Sequence, residues 1–219
     1  MFKKNKYIII KKAISKDLAL FVYNYFLIKR QVAKTLFETN YISPFETLMG
    51  NFGDNQIPKA YFQYADVAMD TLLLKVKPVI EQHTKLKLTP TYSYARIYEK
   101  GNVLRRHKDR FSCEISGTLN LGGDLWPIYI SPNENVGIPD DKKGITISSN
   151  AKGIKVDLKP GDMLIYKGME LEHWREPFVG EDCCQVFLHY NNVKSKDSKI
   201  NMFDKKPHLG LPGDFRNKI

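Results

Sequence analysis

A histidine and an aspartate stand two positions apart in the basic segment RRHKDR, residues 105–110. In an extended segment, side chains i and i+2 project to the same side, so the imidazole of His107 and the carboxylate of Asp109 can converge on one point. The best third partner is His173, which follows a Gly-Asp turn and an apolar run. Two imidazoles and one carboxylate on one face of an octahedral ion leave about three positions open, as is typical of non-haem Fe(II) oxygenases.

Two helices are predicted in the first part of the chain. Ser15 can cap a helix over residues 16–39, in which apolar residues recur at three- and four-residue spacing. A second helix is predicted to begin after Pro58 and to carry an apolar stripe from Tyr61 onwards. Pro78 should kink or end this helix.

After residue 90 the pattern changes to short β-branched and aromatic runs separated by turn residues. Such spacing predicts an all-β sandwich or barrel, and helices followed by strands indicate an α+β fold. His107 and Asp109 are expected at the end of a loop that leads into a strand near Glu114, and residues 132–143 should form a second loop. The predicted strands cover residues 91–98, 114–121, 126–131, 144–148, 153–158, 162–167, 171–178 and 185–191.

The length of 219 residues suits one domain with a full core. We predict a single domain over 1–219, with a helical part over 1–90, a strand-rich core over 91–193 and a polar tail over 194–219. No apolar run approaches the roughly 20 residues that a membrane span needs, and the N-terminal apolar patch is too short for a secretory signal. The three cysteines show no disulfide or metal spacing, so we expect a cytoplasmic location.

The formal net charge of +10 is carried mostly by lysines spread along the chain. One compact basic cluster surrounds the candidate ligands, and its side chains should steer an acidic partner towards them. Aromatic residues are not interleaved with this cluster as a stacking platform would require, which argues against a nucleic-acid partner. The cluster consists of Arg105, Arg106, Lys108 and Arg110.

Several motifs occur in a fixed order around the candidate ligands. Tyr98 and Gly101 precede the His-x-Asp pair, Gly122-Gly123 and KPGDMLIY follow it, and the segment HWREP contains His173. From Thr91 to about Tyr190 this order resembles the Fe(II)- and 2-oxoglutarate-dependent oxygenases, nearest to their prolyl 4-hydroxylase branch. The resemblance implies a double-stranded β-helix (jelly-roll) core with the N-terminal helices packed on it. It also implies Fe(II) held by His107, Asp109 and His173, with 2-oxoglutarate as cosubstrate and O2 as oxidant.

The sequence departs from the family at the cosubstrate anchor. The family usually has an Arg or Lys about ten residues beyond the second histidine, whereas this chain has Cys183-Cys184-Gln185 there. Strand alternation offers substitutes, because Arg96 shares a face with Tyr98 and Arg175 shares a face with His173. A guanidinium can grip a carboxylate through two hydrogen bonds. We therefore predict that Arg96 or Arg175 anchors the distal carboxylate, and that the cosubstrate site also includes Tyr98, Gln185 and His189.

The predicted activity is hydroxylation of a C–H bond in a peptidyl or amino-acid substrate, for example a prolyl side chain, with release of succinate and CO2. A carboxylate at Asp109 favours hydroxylation, because a small residue vacates this position for halide in the related halogenases. Two alternatives stay open. The net charge allows a nucleic-acid-directed oxygenase or a nucleic-acid-binding protein, and the ligand set also suits a zinc hydrolase or a metal-binding barrel without oxidative turnover.

Overall fold

The structure, a computed structural model, describes residues 2–140, 145–147 and 149–216. Over these residues it contains three α-helices, which are α1 (Phe2–Asn5), α2 (Lys16–Glu38) and α3 (Val67–Thr84). The described residues form thirteen β-strands: β1 (Tyr7–Ile10), β2 (Asn51–Phe52), β3 (Tyr61–Tyr64), β4 (Leu88–Glu99), β5 (Leu104–His107), β6 (Ile115–Gly123), β7 (Ile128–Ile130), β8 (Ile138–Asp140), β9 (Ile145–Ile147), β10 (Ile154–Val156), β11 (Met163–Tyr166), β12 (His173–Arg175) and β13 (Asp182–Asn192).

Most strands belong to two antiparallel sheets. The major sheet has the order β1-β11-β6-β13-β4-β3-β2, and the minor sheet has the order β10-β7-β12-β5. Apolar side chains from both sheets meet in one buried cluster, to which the minor sheet contributes Ile128 and Ile130 and the major sheet contributes Leu164 and Tyr166. The predicted α+β fold with a jelly-roll core is confirmed.

The central strand β13 shows how alternation separates the two faces of the major sheet. Cys184, Val186 and Leu188 are fully buried and pack in the core that the sheet shares with helices α2 and α3. Burial of each such aliphatic side chain contributes about 1.5–3 kcal/mol. The intervening residues, which include Gln185 and His189, face the minor sheet, so polar side chains point into the space between the two sheets.

The two long helices begin at polar caps. The Ser15 hydroxyl accepts a hydrogen bond from the amide of Leu18 at 3.2 Å, which confirms the predicted start of α2. The Asp66 carboxylate caps α3 by accepting from the amides of Ala68 and Met69. Satisfied amides at these positions fix where each helix begins.

The predicted helix after Pro58 is wrong over its first part. Residues Tyr61–Tyr64 form strand β3, which pairs with β4, and the helix begins only at Val67. An aromatic run such as YFQY fits either period, and the vacant edge of β4 decides in favour of a strand. The helix also continues to Thr84 through Pro78. Pro78 is exposed, so water can bond the carbonyl that loses its amide donor.

The predicted loop before His107 is also wrong, because residues Leu104–His107 form strand β5 of the minor sheet. This strand has one buried apolar residue, so it lacks the alternation that marks a strand in sequence. Strand β8 likewise lies inside the predicted loop 132–143, of which residues 141–143 fall outside the described part. The eight predicted strands are confirmed with shifted ends, although residues 144 and 148 of the fourth also fall outside the described part.

The described part of the tail runs to residue 216 and contains a tight turn over Met202–Lys205 and a short 3-10 helix, Gly213–Phe215. Four polar residues in it are buried, namely Ser198, Asn201, Asp204 and Lys206. Strands β1 to β3 come from residues before 90, so this part of the chain is not only helical. Among the described helices, none combines the length and the apolar character that crossing a membrane would require.

Candidate metal centre and adjoining cavity

The pairing of β5 with β12 brings two of the predicted ligands together. His107 lies directly opposite His173 in the minor sheet, and their ring centroids are 4.2 Å apart. Asp109 follows β5 by two residues, and its Oδ1 lies 3.7 Å from His107 Nε2 and 3.5 Å from His173 Nε2. One ligand atom from each of the three residues falls within a mutual distance of 4.8 Å.

Backbone carbonyls fix the orientation of both imidazoles. Nδ1 of His107 lies 2.7 Å from the carbonyl oxygen of Arg105, and Nδ1 of His173 lies 3.0 Å from that of Leu171. Because a carbonyl only accepts, each Nδ1 must carry the proton and donate it. Each Nε2 then keeps a free lone pair, which is the form and the orientation that a metal ligand needs.

The Asp109 oxygen that points away from the histidines, Oδ2, is fixed by a hydrogen bond. Ser116 Oγ donates to Asp109 Oδ2 at 2.5 Å, so Oδ1 is left facing the two histidines. His189 Nδ1 lies 3.1 Å from the same hydroxyl, and because the single hydroxyl proton is donated to Asp109, Nδ1 must be the donor of this second bond. Gly168 passes so close that a Cβ at this position would collide with Asp109 Oδ2. A serine, a histidine and a glycine thus determine the position of one carboxylate.

The electrostatic environment keeps His107 and Asp109 in metal-binding protonation states. Burial lowers the pKa of His107 to about 4, and the neighbouring His173 adds to that shift. Burial raises the pKa of Asp109, but the adjacent histidines outweigh this effect and hold the pKa well below its usual range. At neutral pH His107 is therefore neutral and Asp109 is ionised, as binding of a divalent cation requires.

The three side chains line a cavity of about 640 Å³. Its walls come from the inner face of β4, from β5 and the residues that follow it, and from the loop after β2. Aromatic rings dominate the wall that β4 contributes, and the predicted cosubstrate residues Tyr98, Arg96 and His189 all belong to the lining. The aromatic side chains of this lining are Tyr92, Tyr94, Tyr98, Tyr166 and Phe187.

Arg96 is buried, but its charge is already balanced. Its guanidinium forms a short ion pair with Asp54 and donates to Tyr94 Oη at 2.8 Å. Burial lowers the pKa of Arg96, but Tyr98, Tyr94 and Asp54 outweigh burial and raise it overall. A second carboxylate at Arg96 would therefore have to compete with Asp54.

Arg175 is also buried, but unlike Arg96 it has no carboxylate to balance its charge among the described residues. It is 1 % exposed, and it donates to the carbonyl of Trp126 and, at 3.5 Å, to Thr118 Oγ1. Among the described residues, no carboxylate forms an ion pair with it, and burial lowers its pKa. Its Nε is one of the buried donors without a hydrogen-bond partner. A buried cation without a counter-ion costs several kcal/mol, so this site is suited to an anion.

Two further predicted cosubstrate residues lie near Arg175. Gln185 accepts a hydrogen bond from Thr118 Oγ1 at 3.2 Å, and this is the hydroxyl that Arg175 also reaches. The buried hydroxyl of Tyr98 has no partner within the described structure. His189 has a different role, since it contacts Ser116 beside Asp109. The five predicted residues thus have three different surroundings. Gln185 and Tyr98 lie near Arg175, Arg96 is paired with Asp54, and His189 supports Asp109 through Ser116.

Two of the four side chains in the basic cluster around the ligands already form ion pairs with buried carboxylates. Arg106 pairs with the fully buried Glu172 at 3.3 Å, and Arg110 pairs with Asp204 at 3.1 Å. Lys108 donates to the carbonyl of Glu134 at 2.8 Å. No local pattern predicts these two acids, because they lie 66 and 94 positions from their partners.

The donor set fits a divalent metal with open positions. Three ligand atoms approach from one side, their lone pairs are free, and the cavity adjoins them, as in the two-histidine, one-carboxylate site of non-haem iron oxygenases. Arg175 and Tyr98 offer a positive charge and a hydroxyl donor of the kind that the distal carboxylate of a dicarboxylate cosubstrate needs, although only Tyr98 belongs to the cavity lining. Iron and 2-oxoglutarate are thus compatible with the side chains present.

No protein-family model matches the sequence, and no curated protein matches it. Solved structures with a similar fold do exist. A prolyl-4-hydroxylase from Pseudomonas putida is 18% identical, with a TM-score of 0.50 over 87% of this chain and 95% of that chain. HygX from Streptomyces hygroscopicus, solved with nickel and 2-oxoglutarate bound, is 14% identical, with a TM-score of 0.59 over 99% of this chain and 91% of that one.

The non-haem α-ketoglutarate-dependent epimerase SnoN from nogalamycin biosynthesis is 12% identical, with a TM-score of 0.62 over 96% of this chain and 89% of that chain. At such identities the similarity concerns the fold, and the two neighbours whose names describe a reaction, a prolyl-4-hydroxylase and an epimerase, differ in that reaction. The chain therefore has the jelly-roll fold found in 2-oxoglutarate-dependent oxygenases.

Proposed function

We propose that this protein is an Fe(II)- and 2-oxoglutarate-dependent dioxygenase that hydroxylates a C–H bond. The observation that carries the proposal is the convergence of His107, Asp109 and His173 at the wall of a cavity. The similarity to HygX, which binds 2-oxoglutarate, supports the choice of cosubstrate. Of the two predicted anchors we favour Arg175, because Arg96 already has Asp54 as its counter-ion.

In the proposed reaction 2-oxoglutarate, O2 and a substrate C–H group give succinate, CO2 and a C–OH group, and the iron centre supplies the oxidising chemistry. The protein contributes position and polarity. His107, Asp109 and His173 would hold the metal, and Ser116 fixes which oxygen of Asp109 faces it. The Arg175 guanidinium would anchor the distal carboxylate, with the Tyr98 hydroxyl as a further donor.

The proposed substrate is a peptidyl or free amino-acid side chain. The fold similarity to a prolyl-4-hydroxylase supports this class, and the aromatic wall of the cavity offers contact surface for an apolar side chain. A carboxylate at Asp109 fills the third ligand position, which favours hydroxylation over halogenation. Arg105 also lines the cavity and forms no ion pair with a carboxylate among the described residues, so its positive charge favours an acidic partner.

The test is conversion of 2-oxoglutarate to succinate by the protein loaded with Fe(II) under anaerobic conditions and then exposed to O2. We expect succinate from the natural protein and none from the Asp109→Ala variant. A Zn(II)-loaded sample is the matched control, since zinc has no redox chemistry. Peptide and metabolite pools would then be searched for products that gain one oxygen atom. Absence of iron-dependent succinate in all of these pools would refute the proposal.

A further inference from the structure

The tail contains an unusual backbone turn next to the candidate metal centre. Phe203, Asp204 and Lys205 all have positive φ angles, of 51°, 56° and 62°. Non-glycine residues visit this left-handed region as single residues, and three in succession are strained. Strain of this kind persists only where surrounding contacts impose it, and it is found most often at functional sites.

The turn places one carboxylate among several donors. Asp204 is 4% exposed. It accepts from Tyr64 Oη at 2.6 Å and from Arg216 Nε at 2.8 Å. Its two oxygens also lie 3.2 Å and 3.1 Å from Nη2 of Arg110. Arg110 directly follows the candidate ligand Asp109 in the chain. Asp204 in the tail therefore holds the side chain of the residue next to this ligand.

A continuous set of contacts leads from Arg110 back to Asp109. The guanidinium of Arg110 lies 4.7 Å from the ring centroid of Tyr92, and its Nε donates to the Tyr92 hydroxyl at 3.3 Å. The ring of Tyr92 packs on His189 at 4.6 Å. His189 then donates to Ser116, which donates to Asp109. The position of Asp109 is thus fixed in two ways, through the contacts of its neighbour Arg110 and through the hydrogen bond of its own carboxylate with Ser116.

We infer that Asp204 is a positioning residue for the metal centre, and that it acts on Asp109 through Arg110. The inference rests on the proposed function in so far as it requires that His107, Asp109 and His173 bind a metal. Asp204 itself is not part of the cavity lining, and it reaches the lining through its ion pair with Arg110. Its effect is on where the Asp109 carboxylate lies, and therefore on metal affinity.

Asp204→Asn is the most informative variant. Asparagine tolerates the left-handed region as well as aspartate does, so the turn can persist while the charge that holds Arg110 is lost. Groups that support metal ligands typically contribute 10- to 100-fold in metal affinity. Because Asp204 acts through Arg110, we expect the lower end, a loss of about tenfold. The measurement is calorimetric titration of the metal-free protein with Mn(II), which needs no turnover.

Two more variants make the test specific. Arg110→Gln removes the other half of the link at a side chain that is 45% exposed, so it tests the same idea if Asp204→Asn does not fold. The double variant should lose no more affinity than the stronger single variant, because each single variant already breaks the Asp204–Arg110 pair. Ser198→Ala is the matched control. It removes a buried tail hydrogen bond of 2.7 Å to Thr89 that does not lead to Asp109, and its Mn(II) affinity should match that of the natural protein.

The possible outcomes separate this inference from the proposed function. Failure of the natural protein to bind Mn(II) would overturn the proposed metal centre and the inference with it. Tight binding by the natural protein with equal affinity in Asp204→Asn and Arg110→Gln would overturn the inference alone. Additive losses in the double variant would overturn the route through Arg110. An equal loss in Ser198→Ala would reduce Asp204 to a general stabiliser of the tail.

Discussion

Replacement of Arg175 by methionine should have opposite effects on stability and on cosubstrate binding. Arg175 is a buried cation for which the described structure shows no carboxylate partner, and replacing such a charge by an apolar side chain often has no cost or stabilises. The variant does lose the hydrogen bond to the Trp126 carbonyl, which costs about 1–3 kcal/mol. Since the unpaired charge costs several kcal/mol, we expect the ligand-free variant to be at least as stable as the natural protein.

The same substitution should weaken binding of 2-oxoglutarate strongly. Loss of one partner from a buried, hydrogen-bonded charge pair costs about 2–5 kcal/mol. A loss of about 3 kcal/mol corresponds to about a hundredfold in affinity. At a concentration of about 100 times the natural Kd, the cosubstrate stabilises the natural protein by about 2.7 kcal/mol and should stabilise the variant by only about 0.4 kcal/mol.

Arg96→Met is the matched comparison, because it removes the other buried arginine predicted as an anchor, which lies in the major sheet, and leaves Asp54 without its cationic partner. Breaking such a pair costs about 3 kcal/mol, or about 6–12 °C in Tm for a chain of this size. Thermal unfolding of metal-loaded samples with and without 2-oxoglutarate measures both quantities. A large cosubstrate-dependent rise in Tm that survives in Arg175→Met but disappears in Arg96→Met would refute our assignment of the anchor.

Three further predictions concern the support of the site and the fold. Ser116→Ala removes the 2.5 Å hydrogen bond to Asp109 and should weaken Co(II) binding by about tenfold, as followed by visible absorption; unchanged affinity would count against this role. Gly168→Ala would place a methyl group against the Asp109 carboxylate and should abolish Co(II) binding while the far-ultraviolet dichroism of the sheets is retained; normal binding would contradict the geometry. The third concerns Asp162, where burial raises the pKa but hydrogen bonds from Lys11 and from two backbone amides outweigh it and lower the pKa overall. A lowered folded-state pKa stabilises the protein above the unfolded value of about 3.9, and this contribution is lost as pH falls through the folded pKa. Asp162→Asn should therefore unfold about 1–2 kcal/mol more easily at pH 7, with a difference that shrinks below about pH 4 in urea titrations; a constant difference would contradict this reasoning.

Local pattern was sufficient for much of the fold. The helix after Ser15 was predicted from its cap and its amphipathic period, and eight strands after residue 90 were predicted from β-branched and aromatic runs between turn residues. Strands β5 and β3 were not predicted, because β5 has one buried apolar residue and the aromatic run of β3 fits a helix as well as a strand. Their identity follows from pairing with β12 and β4, which are distant in sequence.

The sequence by itself determined which residues could form the metal centre. His107 and Asp109 are two positions apart, and His173 follows in the order expected of the family, so their convergence could be predicted before any coordinates. Only the tertiary structure decided which charges are already balanced. Asp54 neutralises Arg96 from 42 positions away, whereas Arg175 has no carboxylate partner in the described structure. Side-chain direction along a strand is a local property of the backbone, but ion pairing depends on contacts between distant segments, which no local pattern encodes.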